Sequence, residues 1–337
     1  MRSRWENWPE DRLLDLRLSD LGVQIEGTWL EECIERVLAQ LEARGIEFEP
    51  HFWLADEWFS PDGVPGVAIP FYLAHPRLMR LERSMMFEVE GGSRIECLRL
   101  IRHELGHALD HAWGFHRKRS WAQVFGRPSV PYPDVYRPSP RSKRFVQHLD
   151  GWYAQSHPHE DFAETFAVWL KPRAKWRARY DGWPALKKLE YVDELMATIA
   201  GQLPRNHSRR RPYAISKLRR TLRTHYARKT AHYVTGYTDL YDRDLLRLFS
   251  NEPRHARRER AAAFLRRNRA EIRQRVSQWT GEYQFTLDQI LKEMIGRCRE
   301  LSLRVRGTER ETKLDFCILL TAHTVHYLHR GNEWHPM

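Results

Sequence analysis

The chain has 337 residues, 42% of them hydrophobic, and a net charge of +12. That length can bury a sizeable core and is most naturally divided into two domains, while no stretch approaches the roughly 20 apolar residues that a membrane-spanning helix needs. Cys33, Cys97, Cys298 and Cys317 are scattered without a CxxC pair, which excludes a zinc ribbon or a disulfide framework and fits reduced thiols.

The N-terminal MRSRWENWPEDRLLDLRLSD alternates charges with short apolar pieces and lacks the apolar core of a signal peptide, so the expected location is the cytoplasm. Thr28 to Arg44 reads as an amphipathic helix, capped by Thr28, apolar along Leu30, Ile34, Val37, Leu38 and Leu41, and stopped by Gly45. Ile46 to Leu54 and Val67 to Leu73 are expected strands, separated by Pro61-Asp62-Gly63 and Pro65-Gly66 turns. The strand edge near Val67 to Tyr72 is expected to hold an extended peptide by main-chain hydrogen bonds. Gly91-Gly92 then form a turn, Ser93 and Glu96 a capping box, and Leu98, Ile101, Leu105, Leu109 and Ala112 a helical stripe.

This helix carries His103-Glu104-Leu105-Gly106-His107. In an HExxH sequence the two imidazoles stand one turn apart and reach one ion, and the glutamate between them is placed to take a proton from a metal-bound water. His103 lies about 200° around the helix from Leu105, on the side away from the core stripe. A zinc hydrolase ordinarily takes a third protein ligand and leaves a position open for water. The extended metzincin pattern would need Gly at position 110 and His at 113, where this chain has Asp110 and Trp113. His111 is one more turn along, but three successive turns of a straight helix cannot wrap one ion.

Pro128 to Arg144 is rich in prolines and reads as a long irregular segment bordering the site. After it, Pro158 and an acidic first turn open another helix, with Phe162, Phe166, Val168 and Leu170 as apolar positions. Glu160 and Glu164 are one turn apart on it, so one carboxylate can bind a metal while the other accepts a hydrogen bond from a ligand imidazole. Asp161, displaced by 100° from Glu160, is the alternative ligand. Asp110 either orients a histidine or decorates its helix.

HELGHALDHAWG from His103 to Gly114, followed by EDFAETFA from Glu160 to Ala167, resembles the gluzincin metallopeptidases, in particular the catalytic domain of anthrax lethal factor. It is still more similar to a bacterial family of zinc-binding metallopeptidases. The resemblance implies one zinc ion held by His103, His107 and Glu160, with Glu104 as catalytic base and Glu164 as a supporting acid. It also implies that Tyr153, seven residues before Glu160, assists catalysis by donating to the developing oxyanion. Hydrolysis of peptide bonds by a metal-activated water, in a bacterial cytoplasm, is the activity it implies. The motifs cover Arg94 to Leu170, and the family's zincin-like fold is expected over the first 200 residues.

Pro184 to Ala200 reads as a further helix. From Leu195 to Thr238 there is no Asp or Glu, while Arg205, Arg209, Arg210, Arg211, Lys217, Arg219, Arg220, Arg223, Arg228 and Lys229 supply +10 of the +12. A helix is expected from Ser216, with Ile215, Leu218, Leu222 and Tyr226 buried, an arginine-rich outer face, and Tyr213, Tyr233 and Tyr237 nearby. Ala261 to Arg275, Thr286 to Arg306 and Thr312 to His329 read as more helices. The expected fold class is therefore α+β, with a zincin-like domain over residues 1–203 and a mostly helical basic domain over 204–337. The basic surface suggests an anionic partner: acidic peptides or proteins as substrate, or nucleic acid. The alternative function is a nucleic-acid- or protein-binding module with a structural or vestigial zinc site, although no recognised nucleic-acid motif supports it.

Overall fold

The computed structural model describes residues 5–133, 136, 138–232 and 241–329, and they form an α+β fold. Two compact units divide the described chain, one of residues 5–84 and 89–224 and the other of 85–88 and 225–329. In order, the first holds α1 (Glu10–Leu14), α2 (Trp29–Glu42), β1 (His51–Ala55), β2 (Gly66–Pro70), α3 (Pro76–Met86), α4 (Arg94–Trp113), α5 (Arg119–Phe125), α6 (Pro158–Leu170), α7 (Trp176–Arg179), α8 (Ala185–Ala197) and the start of α9 (Leu222–His232). α10 (Asp242–Leu248), β3 (Phe249–Ser250), α11 (Ala261–Thr280), α12 (Gln284–Glu300), β4 (Arg304–Val305) and α13 (Glu309–His329) follow in the second.

β1 and β2 pair in parallel, from His51 opposite Gly66 to Ala55 opposite Pro70. All five β2 residues are buried, so the strand reads as a continuous apolar run without alternation. Both strands are shorter than their apolar runs because prolines interrupt them. Pro50 precedes β1, and Pro70, which has no N–H to extend the ladder, hands the chain to a 3₁₀ turn at Phe71–Ala74. The β2 edge expected to receive a peptide is engaged within the chain: Ala68 N donates to Phe59 O at 2.9 Å and Ser60 Oγ to Gly66 O at 2.9 Å.

Thr28 caps α2, its hydroxyl accepting from Leu30 N at 3.2 Å. α4 opens on the capping box, Ser93 Oγ accepting from Glu96 N at 3.2 Å and Glu96 Oε2 from Ser93 N at 3.3 Å. It closes on Gly114 at φ 70°, a left-handed conformation that suits glycine. α6 starts at Pro158, with the His157 ring as its cap. Gly106 lets these two helices meet closely, since a Cβ there would stand 2.9 Å from Ala163 Cα. α4 is consequently buried on both sides, by its apolar stripe and, on the histidine side, by α6.

Residues 204–224 pack within the first unit. Arg205 N and Asn206 N both donate to Ala112 O at 3.0 Å at the end of α4, and Trp53 Nε1 donates to Pro212 O at 2.9 Å. The helix expected from Ser216 begins later, at Leu222. Leu218 O and Arg220 O accept from Ser19 N at 2.9 Å and Leu18 N at 3.0 Å, and this extended pairing outcompetes helical bonding. Part of the basic run is neutralised inside the unit, because Arg220 pairs with Asp56, and Arg223 Nε approaches Asp15 Oδ1 at 2.8 Å. Tyr233 and Tyr237 lie outside the described residues.

The second unit has its own core, in which Leu245, Phe249, Phe264, Leu265, Ile272, Leu287, Leu291, Met294 and Phe316 are buried. β3 and β4 are a two-residue antiparallel pair. No described helix is long and apolar enough to cross a membrane. All four cysteines are free thiols.

Candidate metal centre

α4 and α6 bring His103, His107 and Glu160 together. Glu160 Oε2 lies 3.0 Å from His103 Nε2 and 3.1 Å from His107 Nε2, and the two nitrogens are 3.2 Å apart. Three donor atoms around one tetrahedral ion, each about 2.0–2.1 Å from it, stand about 3.3 Å from one another. The observed triangle is close to that spacing. His103 is 2% exposed and Glu160 5%, and His107 is half-buried, so water screens the three groups little.

Two imidazole lone pairs and a carboxylate oxygen at this distance repel one another unless a cation joins them. The acid–base behaviour of the site expresses the same demand. Burial opposes a charged His103, but Glu160 and Glu164 outweigh it and raise its pKa well above the ordinary value. His107 is raised in the same way, burial again being outweighed chiefly by Glu160. Burial alone would raise the Glu160 carboxyl, yet His107 and His103 hold it well below the usual range. The donor set therefore fits a divalent cation that accepts imidazole and carboxylate.

Glu164, one turn beyond Glu160, faces the other side of His103. Its Oε1 lies 2.9 Å from His103 Nδ1 and its Oε2 accepts from Leu149 N at 2.8 Å. A proton on Nδ1 leaves the Nε2 lone pair directed at the cluster, so Glu164 selects the tautomer that a metal needs. Glu104 is 7% exposed; burial pushes its carboxyl up, against the pull of His103 and His107. Tyr153 sits in the 3₁₀ segment Asp150–Gln155 with its ring 5.5 Å from that of His103, and burial, then Glu160 and Glu104, raise its phenol well above the ordinary value. That segment bends through Gly151 at φ 71° and Trp152 at φ 55°, which turns Tyr153 toward the cluster.

Asp110 is not among these groups. Its Oδ1 accepts from His116 N at 2.8 Å, and Oδ2 lies 2.9 Å from His116 Nδ1 and 3.4 Å from His159 Nδ1. The histidines it orients are thus outside the cluster. Asp161, the alternative ligand, points away and pairs with Lys188. His111 is held by Gly63 N, which donates to its Nδ1 at 3.4 Å.

Tyr132 joins the site without any signal in the sequence pattern, its hydroxyl donating to Glu160 Oε1 at 2.9 Å. It stands in the irregular proline-rich segment, where no periodicity predicts which side chain turns inward. His148, just after that segment, is buried against α4, its Nε2 donating to Arg99 O at 3.0 Å.

Residues 96–179 match the protein family described as "Putative zinc-binding metallo-peptidase". That span runs from the first turn of α4 to the end of α7 and contains every residue of the cluster, in agreement with the resemblance carried by the two motifs. No curated protein and no solved structure matches the chain.

Proposed function

We propose that the first unit is a zincin-like peptidase of the gluzincin type, with one zinc ion held by His103, His107 and Glu160. The observation that carries this reading is the buried triangle of two imidazole nitrogens and one carboxylate oxygen, 3.0–3.2 Å apart, beside a separate glutamate. The family match over residues 96–179 supports it independently.

Bound zinc would supply a Lewis acid that polarises the scissile carbonyl and makes a nearby water acidic enough to react near neutral pH. The remaining work falls to the chain. Glu104 takes the proton of the attacking water and returns it to the departing amine, and its burial-raised pKa brings its basicity closer to the operating pH. Tyr153 keeps its proton, because burial and two carboxylates oppose its ionisation, and donates a hydrogen bond to the carbonyl oxygen as charge develops there. Glu164 holds the His103 ring in one tautomer.

Peptide or protein is the substrate class, with acidic segments favoured. The support for that preference is local. Residues 205–211 run from the end of α4 to β1, where His51 Nε2 donates to Arg210 O at 2.7 Å, and they leave Arg209, Arg210 and Arg211 exposed. Free thiols fit a reducing compartment, the cytoplasm.

Metal analysis of the purified chain, paired with a Glu104→Gln variant, tests the reading. The expected result is one zinc per chain in both, with turnover of a peptide library falling about 100-fold to 10,000-fold in the variant. Absence of zinc from the wild type, or near-wild-type hydrolysis by the variant, overturns it. Comparing Glu/Asp-rich with neutral peptides at low and high salt, before and after replacing Arg209, Arg210 and Arg211 by Ser, tests the acidic preference separately.

A further inference from the structure

Glu160 has two carboxylate oxygens, and the cluster uses only one. Oε2 faces His103 and His107 at 3.0 and 3.1 Å, while Oε1 accepts the Tyr132 hydroxyl at 2.9 Å. A carboxylate at the end of a flexible side chain can rotate to exchange its oxygens or present both. A single strong donor on one oxygen removes that freedom and fixes which lone pairs point at the histidines.

Tyr132 is itself held in place. Its ring lies on the His157 ring with centroids 3.7 Å apart and planes 16° from parallel. His157 is fixed by two bonds that settle its tautomer: Nδ1 accepts from His159 N at 3.1 Å at the start of α6, so the proton is on Nε2, which donates to Val130 O at 2.8 Å. The segment at 130–132 is thus clipped by both backbone and side chain to the cap of the helix that carries Glu160, three residues farther on. Tyr132 is nonetheless 49% exposed, so this clip lies outside the core and can be altered without opening it.

We propose that Tyr132 is a positioning residue for the metal site, orienting the Glu160 carboxylate through Oε1, with the His157 ring as its platform. The inference rests on the zinc reading given above. It adds a hydrogen-bond donor from the irregular segment to the three ligands, and makes residues 130–132 part of what sets metal affinity.

The test is zinc affinity of the full chain, measured by competition with a chromophoric chelator, for wild type, Tyr132→Phe and Tyr132→Ala. Tyr132→Phe keeps the ring on His157 and removes only the donor. The expected result is a loss of zinc affinity of roughly 10-fold to 100-fold in Tyr132→Phe, as for other groups that orient a ligand, with unchanged helix content and apo-protein melting temperature. The visible absorption of the cobalt(II)-loaded variant, which reports coordination geometry, is expected to differ from that of the wild type. If Tyr132→Phe binds zinc as wild type does and gives the same cobalt spectrum, the inference is wrong while the zinc reading stands. A loss confined to Tyr132→Ala would assign the effect to the ring and overturn the role of the hydroxyl. Failure of the wild type to bind zinc would overturn both readings together.

Discussion

Glu164 shows why a carboxylate, and not merely an acceptor, is needed next to His103. It accepts from two donors at once, the His103 Nδ1–H at 2.9 Å and Leu149 N at 2.8 Å. An amide of the same shape has one oxygen, so Glu164→Gln must turn its NH₂ toward one of those donors and leave it buried without a partner. That costs about 1–3 kcal/mol and loosens the ring. The expected outcome is a stable but weakened fold with zinc affinity reduced roughly 10-fold to 100-fold, read by chelator competition; unchanged affinity would mean that Glu164 does not orient His103. Two other histidines set a pH limit. Burial lowers both His111 and His148 to about 4. Because their folded values lie below the unfolded value near 6.5, the stability tied to their neutral forms is complete above pH 6.5 and is lost as the pH falls toward 4. Each is worth at most about 3 kcal/mol. Urea titrations of apo-protein between pH 7 and 4.5 should show this decline, and a His111→Gln, His148→Gln double variant should flatten it. Residue types at fixed spacing made the His103-Glu104-His107 pattern and the Glu160/Glu164 pair legible in the sequence, while Glu160 as the third ligand was implied by the family resemblance. Tyr132, 28 residues before Glu160 in an irregular segment, was not legible, since only the path of the chain brings it to Oε1.

At the scale of elements, the site depends on how closely α4 and α6 approach. Both lack bulk where they meet, at Gly106 and Ala163, and Gly106 lies within the HExxH turn itself, just before His107. A methyl group at 106 would lie 2.9 Å from Ala163 Cα and 3.1 Å from the Phe166 ring. One of those contacts is backbone, which cannot swing aside, so the helices must separate by several tenths of an ångström. Overpacking of this kind costs about 1–3 kcal/mol. The larger consequence is geometric, because Glu160 and Glu164 ride on α6 and would withdraw from histidines that they touch at 2.9–3.1 Å. Gly106→Ala should therefore fold with a lowered melting temperature and bind zinc at least tenfold more weakly. Wild-type zinc affinity in that variant would show that the interface tolerates the methyl. The helix starts were readable from Ser93, Glu96 and Pro158, whose chemistry is local. The strands were readable only in part: Pro50 and Pro70 cut them short, and the edge of β2 is engaged by Phe59, a pairing set by tertiary structure.

On the scale of the whole molecule, the excess of arginine is handled differently in the two units. In the first, the acid-free run finds carboxylates far away in sequence, Arg220 with Asp56 and Arg223 with Asp15, which no local pattern foretells. In the second, one buried carboxylate gathers several cations. Asp288 is fully buried; Arg273 Nη1 lies 3.0 Å from its Oδ1, Arg269 bonds to Oδ2, and Lys292 Nζ stands 3.5 Å from Oδ2. This pairing ties α11 to α12 beside a core that includes Ile272, Leu287 and Leu291. Asp288→Asn removes the charge and keeps the shape, leaving three cations to repel one another across the junction. Breaking a fully buried pair costs about 3–5 kcal/mol, and the effect here should lie near the lower end because Arg269 and Lys292 reach solvent. The measurement is hydrogen exchange resolved by peptide. Amides of α11 and α12 should lose protection in Asp288→Asn while those of α4 and α6 keep theirs, and zinc affinity should stay at the wild-type value. Equal loss of protection in both units would mean that they unfold as one cooperative body.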